Sequence, residues 1–134
     1  MQKLIIVTFL LIASNCILHA QSDCKCSVYE DLSAAGKSKS EIYTQAIKEK
    51  SNICQAKTAE LYGEILISEK NDLDSAEIYL KKAEELYKKT GCNEGVIWNT
   101  YKQRFQVYWS RSDFPNAQEY ALKFLHSAEL DNNV

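Results

Sequence analysis

The sequence predicts an all-α protein of about five helices, arranged as antiparallel hairpins that stack on one another. The chain has 134 residues, a length typical of one domain, and its single proline and four glycines disfavour a β-sandwich or a β-barrel. Three similar segments, Ser40–Tyr43, Ala76–Tyr79 and Ala117–Tyr120, recur at offsets of 36 and 41 residues. Each begins a stripe of apolar residues spaced three and four apart, which is the period of an amphipathic helix.

Turn and capping residues mark the ends of the predicted helices. The segment Asn71–Ser75 supplies side chains that cap a helix N-terminus, and Ser112–Pro115 does the same before the last helix. Lys88 and Lys89, followed by Gly91, indicate a helix end, because cations stabilise the last carbonyl groups and glycine tolerates a positive φ. The predicted helices cover residues 40–53, 54–70, 73–90, 94–111 and 114–131.

Residues 1–20 have the three parts of a secretory signal peptide. Lys3 supplies the early positive charge, Leu4–Ala13 is an apolar run, and Ala20 is the small residue expected before the cleavage site. The apolar run is too short to cross a bilayer, which takes about 20 apolar residues, and no second run of that length follows. We therefore expect an exported product, periplasmic or secreted, with no stable membrane span once the signal has been removed.

Two other interpretations of this leader stay open: lipid attachment at Cys16, with cleavage before that residue, and retention as a signal anchor.

The rest of the chain divides into two parts. Residues 21–39 form a cysteine-containing N-terminal segment, and residues 40–134 form the helical repeat domain.

Four cysteines lie beyond the leader: Cys24, Cys26, Cys54 and Cys92. An even number of cysteines in an exported chain predicts disulfides, although four cysteines allow three pairings. Cys54 and Cys92 each lie near a junction between two predicted helices, which makes them a reasonable pair. Cys24 and Cys26 would then bond to a partner outside the chain or stay free. Two alternatives remain for these two residues, a thiol–disulfide or metal site and plain bridging of the N-terminal segment to the helices.

Two segments of the chain resemble the second-helix half of a tetratricopeptide repeat (TPR). In Asn71–Ala83 and in Ser112–Phe124, small and large apolar residues stand at the positions that this family uses for packing. The pair Tyr62-Gly63 resembles the large–glycine pair of the family's first helix. The resemblance spans residues 40–131, as two hairpins preceded by one lone second helix.

The resemblance implies a short right-handed solenoid that binds a protein or peptide partner along its concave face, which the first helix of each hairpin lines. Asn71 and Ser112 stand where the family usually has a turn glycine. The units are longer than standard repeats, and they are also similar to those in the extracytoplasmic sensory parts of bacterial signalling proteins.

The predicted partner-binding surface is a polar stripe on the first helices of the two full hairpins. Its residues are Glu60 and Glu64 on the earlier helix, and Asn99, Lys102, Gln103, Gln106 and Ser110 on the later one. On the later helix they are spaced i, i+3, i+4, i+7 and i+11, so they share one face. Amides and mixed charges suit hydrogen bonding to an extended peptide, and they equally suit plain solvation.

No catalytic, metal-binding or cofactor-binding residues can be singled out. His126 is the one histidine beyond the leader, glycine-rich phosphate loops are absent, and a net charge of −2 argues against a nucleic-acid-binding surface. The sequence therefore predicts a non-catalytic, TPR-like scaffold or adaptor in the periplasm that binds another protein, with self-association as a further expectation.

Two alternative functions follow from the same features. One is an extracytoplasmic sensory region of a sensor kinase or regulator, standing alone or truncated, in which the last helix exposes an apolar face. The other is a thiol–disulfide protein that uses Cys24 and Cys26.

Overall fold

The computed structural model describes residues 24–132, and every regular element in that range is a helix. The elements are α1 (Ser27–Ala34), α2 (Lys39–Ala46), α3 (Asn52–Ser68), α4 (Leu73–Lys89), a 3-10 helix (Glu94–Ile97), α5 (Trp98–Ser110) and α6 (Phe114–Asn132). The all-α prediction is confirmed, with six α-helices in place of about five. The leader predicted at residues 1–20, with Cys16, lies outside the described residues. None of the described helices is long and apolar enough to cross a membrane.

Consecutive helices pair into three hairpins. α3 packs along α4 and α5 packs along α6, and these two hairpins are the ones predicted from the sequence. A shorter hairpin of α1 and α2 precedes them and packs against α3. The second and third hairpins meet through contacts of α5 with both α3 and α4. The hairpins are therefore stacked in chain order.

The N-terminal segment contains a helix that the sequence analysis did not predict. Within residues 21–39, α1 packs Val28, Tyr29 and Leu32 against the core of the later helices. A helix of two turns offers few apolar positions, so its period is hard to detect in the sequence. The segment is therefore part of the folded domain.

The helix predicted over residues 40–53 is divided in two. α2 ends at Ala46, and α3 begins after Ser51, whose side chain accepts a hydrogen bond from the backbone N–H of Cys54 at 3.3 Å. Three charged residues, 48–50, separate the two helices and offer no apolar side chain to the core. The break allows α2 to fold back against α3.

The turns of the second and third hairpins each contain a non-glycine residue in the left-handed backbone conformation. Asn71 has a φ of 52° and Ser112 has a φ of 57°, in turns where glycine is the usual residue. After α5, the N–H of Ser112 donates to the carbonyl of Trp109, and the N–H of Asp113 donates to that of Tyr108. These two bonds form a Schellman motif, which ends the helix and reverses the chain.

α4 begins and ends as the sequence predicts. Asp72 caps its N-terminus by accepting a hydrogen bond from the backbone N–H of Ser75 at 3.0 Å. Lys88 and Lys89 occupy its last turn, and Gly91 follows with a φ of 72°. Local chemistry is sufficient to set these two ends.

α3 and α4 approach each other most closely at Gly63. Leu80 and Ala76 of α4 are fully buried there. A methyl group in place of the Gly63 hydrogen would lie 2.8 Å from the Leu80 side chain, closer than carbon atoms can approach. Glycine is therefore the residue that permits this helix contact.

Two disulfides attach the N-terminal segment to the second hairpin. Cys24 is bonded to Cys92 and Cys26 is bonded to Cys54, with Cα–Cα distances of 5.8 and 4.8 Å. The Cys54–Cys92 pair expected from the sequence is therefore wrong. Both residues lie at the open end of the α3–α4 hairpin, but the N-terminal segment reaches each of them and takes both bonds.

Candidate interaction site

The seven residues of the predicted polar stripe do not form one open surface. Two of them are inside the protein, since Glu60 is 2% exposed and Gln103 is 3% exposed. The remaining five are exposed or half-buried: Glu64, Asn99, Lys102, Gln106 and Ser110. Helical spacing shows that these residues share one face of a helix. It does not show which part of that face is covered by neighbouring helices.

Glu60 holds α3 to the helices that pack against it. Its carboxylate accepts hydrogen bonds from Thr100 of α5 at 2.6 Å, from Tyr87 of α4 at 3.3 Å and from Lys57 at 3.3 Å. Burial, with the nearby Glu60 charge, raises the pKa of Tyr87 well above its usual value, so the phenol remains a hydrogen-bond donor. Glu60 is therefore a residue of the interior and not of a partner-binding surface.

A second buried carboxylate joins α4 to α5. The Arg104 guanidinium donates to Glu84 at 2.5 Å, and both side chains are less than a tenth exposed. Lys88 at 2.7 Å and Tyr120 at 3.3 Å donate to the same carboxylate. Burial raises the pKa of Glu84, but the hydrogen bonds from Lys88 and Arg104 outweigh it and hold that pKa below its usual value. The carboxylate is thus ionised at neutral pH.

The polar network continues from Arg104 to the first turns of α4. Arg104 donates to the Tyr108 hydroxyl at 2.8 Å, and that hydroxyl donates to Glu77 at 2.8 Å. Arg111 also donates to Glu77. The charges in this network are paired with one another, which is the arrangement of a structural network between packed helices.

A groove with a volume of about 280 Å³ opens between α2, α3 and α4. We call it the tyrosine groove, and its lining residues are Tyr43, Ile47, Gln55, Thr58, Ala59, Tyr79 and Lys82. The ring of Tyr43 stacks on that of Tyr62 with centroids 4.7 Å apart, and Tyr62 meets Tyr79 edge to face at 4.6 Å. These ring contacts hold the aromatic wall in place.

The tyrosine groove combines apolar and basic side chains. Ile47 lines it and is 53% exposed, and Lys82 lines its other side. Lys48 and Lys50 follow Ile47 in the chain and are exposed, with one glutamate between them. Burial raises the pKa of Tyr43, so its hydroxyl stays protonated and can donate a hydrogen bond at neutral pH. The groove can therefore hold an apolar side chain and pair with a carboxylate beside it.

The tyrosine groove was not predicted from the sequence. Tyr43 and Tyr79 lie in apolar stripes at the helical period, and this spacing predicts that they pack between helices. The groove depends on the end of α2 at Ala46, which leaves space beside α3 and α4. One signal could have located it: the charged run at residues 48–50 interrupts the helix predicted over 40–53.

The described residues show no metal site. Within residues 24–132, no group of three or more His, Cys, Asp or Glu side chains could hold a metal ion. His126 is exposed, 3.9 Å from the carboxylate of Glu94. Cys24 and Cys26 are bonded to separate partners, not to each other, and the Cys26–Cys54 disulfide is buried. Their geometry is that of bridges between elements.

Comparison of the chain with protein-family models, with curated proteins and with solved structures found no match. The resemblance to the tetratricopeptide repeat therefore rests on the sequence motifs. The close helix approach at Gly63 and the full burial of Ala76 and Ala83 are features of closely packed helical hairpins in general.

Proposed function

We propose that this protein is a non-catalytic interaction module, a TPR-like scaffold or adaptor, that binds a segment of another protein in the tyrosine groove. The main support is the groove itself, about 280 Å³ of open space lined by Tyr43 and Tyr79, each of which is in ring contact with Tyr62. A groove of this volume can hold one large anchoring side chain of a protein partner.

The proposed partner segment carries acidic residues beside an apolar anchor. Lys82 lines the groove, and Lys48 and Lys50 lie next to Ile47, so a carboxylate beside the anchor meets opposite charge. Gln55 also lines the groove. Its Nε2 donates to the carbonyl of Lys50 at 3.1 Å, and its amide oxygen can accept a hydrogen bond from the backbone of the segment. In such an arrangement the anchor supplies most of the affinity, and the charges increase the association rate and the specificity.

The proposed compartment is the periplasm. Disulfides persist in oxidising compartments, and the protein has two of them, one of which lies in the core. The tripartite pattern of residues 1–20 supports the same assignment.

Selection of random peptides displayed on phage against the disulfide-bonded protein tests the proposed binding. We expect enrichment of peptides with an aromatic or aliphatic anchor next to Asp or Glu. Fluorescence anisotropy then measures the affinity of a labelled, enriched peptide. Lys82→Glu and Ile47→Glu should each weaken binding by about tenfold or more, because they reverse the charge or add a repelling charge at the groove.

The matched control is Lys102→Glu combined with Gln106→Arg, on the exposed part of the predicted stripe. This variant should bind the enriched peptide as the wild type does. If it loses binding while Lys82→Glu and Ile47→Glu retain it, the partner surface is the stripe on α5 and the proposal for the groove fails. If no peptide is enriched, the groove is not a peptide-binding site.

A second candidate function, the extracytoplasmic sensory part of a signalling protein, has the support of one observation. The last hairpin exposes large apolar side chains, among them Trp109 and Phe114, where a further hairpin of such a protein would pack. A photo-crosslinking amino acid at residue 109 tests it in cells. A crosslink to a membrane-bound signalling protein favours this function, and a crosslink to another class of protein rejects it.

A further inference from the structure

The α5–α6 hairpin turns one side toward the rest of the protein and leaves the other side open. On the inner side, Thr100 and Arg104 donate hydrogen bonds to the buried carboxylates of Glu60 and Glu84. Trp109 lies five residues after Arg104, which places it about 140° further around the helix. It is 59% exposed. The outer side of the hairpin is therefore in contact with solvent in the described part of the chain.

Aromatic and aliphatic side chains gather on this outer side. The ring of Trp109 lies 5.8 Å from that of Phe105 on α5 and 5.6 Å from that of Phe114 on α6. Leu122 and Leu125 follow Phe114 at i+8 and i+11, on the same half of α6. We call these five residues the end face, and both helices of the hairpin contribute to it.

The end face is similar in area to the largest apolar patch of a typical soluble monomer. Four of its five residues are more than half exposed, which leaves roughly 350–580 Å² of apolar side chain in water if each carries about 150–250 Å². The largest apolar patch of a soluble monomer is typically about 300–600 Å² and is often functional. Two end faces together would bury roughly 700–1,150 Å², a range that includes the lower limit of about 1,000 Å² for a specific interface.

We propose that the end face is the two-fold interface of a homodimer. A two-fold axis brings the same patch of both copies together, so the patch must be complementary to itself in charge as well as in shape. The five end-face residues are uncharged, which meets this condition. Beside them on α6, Lys123 is neutralised by Glu119 at 2.6 Å. The net charge of −2 is too small to keep two copies apart.

The composition of the end face agrees with this interface. Tryptophan and other aromatic residues dominate the binding energy of protein interfaces when they are buried at the centre. Trp109 lies between Phe105 and Phe114, so it has an aromatic neighbour on each side. Because the area is at the lower limit, we expect a weak dimer with a dissociation constant of the order of 10 μM.

Sedimentation velocity over a concentration series around that constant tests the dimer. The full chain is expressed with its own leader into an oxidising compartment, and the purified product should show a monomer–dimer equilibrium. Trp109→Glu on α5 and Leu125→Glu on α6 each place like charges opposite each other, and each should raise the dissociation constant about tenfold or more. Ile78→Glu is the matched control, because Ile78 is an equally exposed apolar residue on α4, outside the end face.

Circular dichroism verifies that each variant keeps its helical content, as expected for substitutions of exposed residues. A wild-type protein that is monomeric at every concentration overturns the proposal. A dimer that survives both end-face substitutions, or that Ile78→Glu disrupts as strongly, overturns it as well. Lys82→Glu in the tyrosine groove should leave the dimer intact, so the dimer and the binding of a partner segment can fail separately.

Discussion

Replacing Glu84 by glutamine tests how strongly the buried ion pair between α4 and α5 stabilises the packing of the second and third hairpins. The Glu84 carboxylate lies 2.5 Å from the Arg104 guanidinium, and both side chains are less than a tenth exposed. Glutamine keeps the shape of the side chain and removes its charge. The Arg104 cation then stays buried without the opposite charge that it faces in the wild type.

The structure sets the expected magnitude. Removal of one partner from a buried ion pair typically costs about 3–5 kcal/mol of unfolding free energy. Arg104 retains its hydrogen bond to the Tyr108 hydroxyl at 2.8 Å, which places the expected loss for Glu84→Gln at the low end, about 3 kcal/mol. With a urea m-value of about 1.5 kcal/mol per molar, the unfolding midpoint should fall by about 2 M.

Urea titration followed by far-ultraviolet circular dichroism, with the disulfides intact, measures that midpoint. Glu85→Gln is the control, because Glu85 is the neighbouring residue on the same helix and is exposed. Its effect should stay within about 0.5 kcal/mol. Equal and small effects of the two substitutions would refute the reasoning, since the Arg104 charge would then be stable in the interior without Glu84.

The pKa of the Glu84 carboxylate predicts how the stability of the protein depends on pH in acid. The pKa of Glu84 in the folded protein lies below the ordinary glutamate value of 4.5. Its contribution is therefore complete above pH 4.5 and is lost as the pH falls through the folded-state pKa. The stability difference between the wild type and Glu84→Gln should be constant near neutral pH and should shrink in acid. A difference that grows as the pH falls would contradict this sign.

Two further predictions concern a turn and the disulfides. Ser112→Gly should stabilise the protein by up to about 1 kcal/mol and raise its melting temperature by about 4 °C, because glycine avoids the strain of the left-handed conformation, φ 57°. The control is Ser110→Gly at the last residue of α5, which should lower the melting temperature because the residue is helical. In graded reductant, the half-buried Cys24–Cys92 bridge should open before the buried Cys26–Cys54 bridge. Differential alkylation with mass spectrometry reports the order, and the reverse order would contradict the role of burial.

The second helix of each long hairpin, α4 and α6, could be predicted closely because its signals are local. The first helices differ more: α3 covers Asn52–Ser68 in place of 54–70, and residues 94–97 of the helix predicted over 94–111 form a 3-10 helix before α5. The predicted helices 73–90 and 114–131 differ by a single residue at an end from Leu73–Lys89 and Phe114–Asn132. A capping aspartate, a terminal glycine and a stripe at the helical period act within a few residues, so the sequence carries them directly. The end of α2 at Ala46 could not be predicted in this way, because it depends on which side chains the core accepts.

The predicted stripe failed at Glu60 and Gln103 for a related reason. A polar residue on one helix face is solvated or buried according to what packs on it. Two of the three side chains that donate hydrogen bonds to Glu60 are Tyr87 and Thr100, which lie 27 and 40 residues later in the chain. No pattern within one helix contains that information, so the polar residues were expected at the surface.

By itself the sequence determined the helical class, the turns of the second and third hairpins, and the ends of α4 and α6 to within one residue. These features depend on hydrogen bonds and apolar spacing within a few residues. The tertiary structure decided the disulfide partners, the burial of Glu60 and Glu84, the tyrosine groove and the exposure of the end face. Each of these depends on contacts between residues that are far apart in the chain. Whether a carboxylate pairs with an arginine, or a tryptophan stays exposed to solvent, is settled only when the hairpins pack.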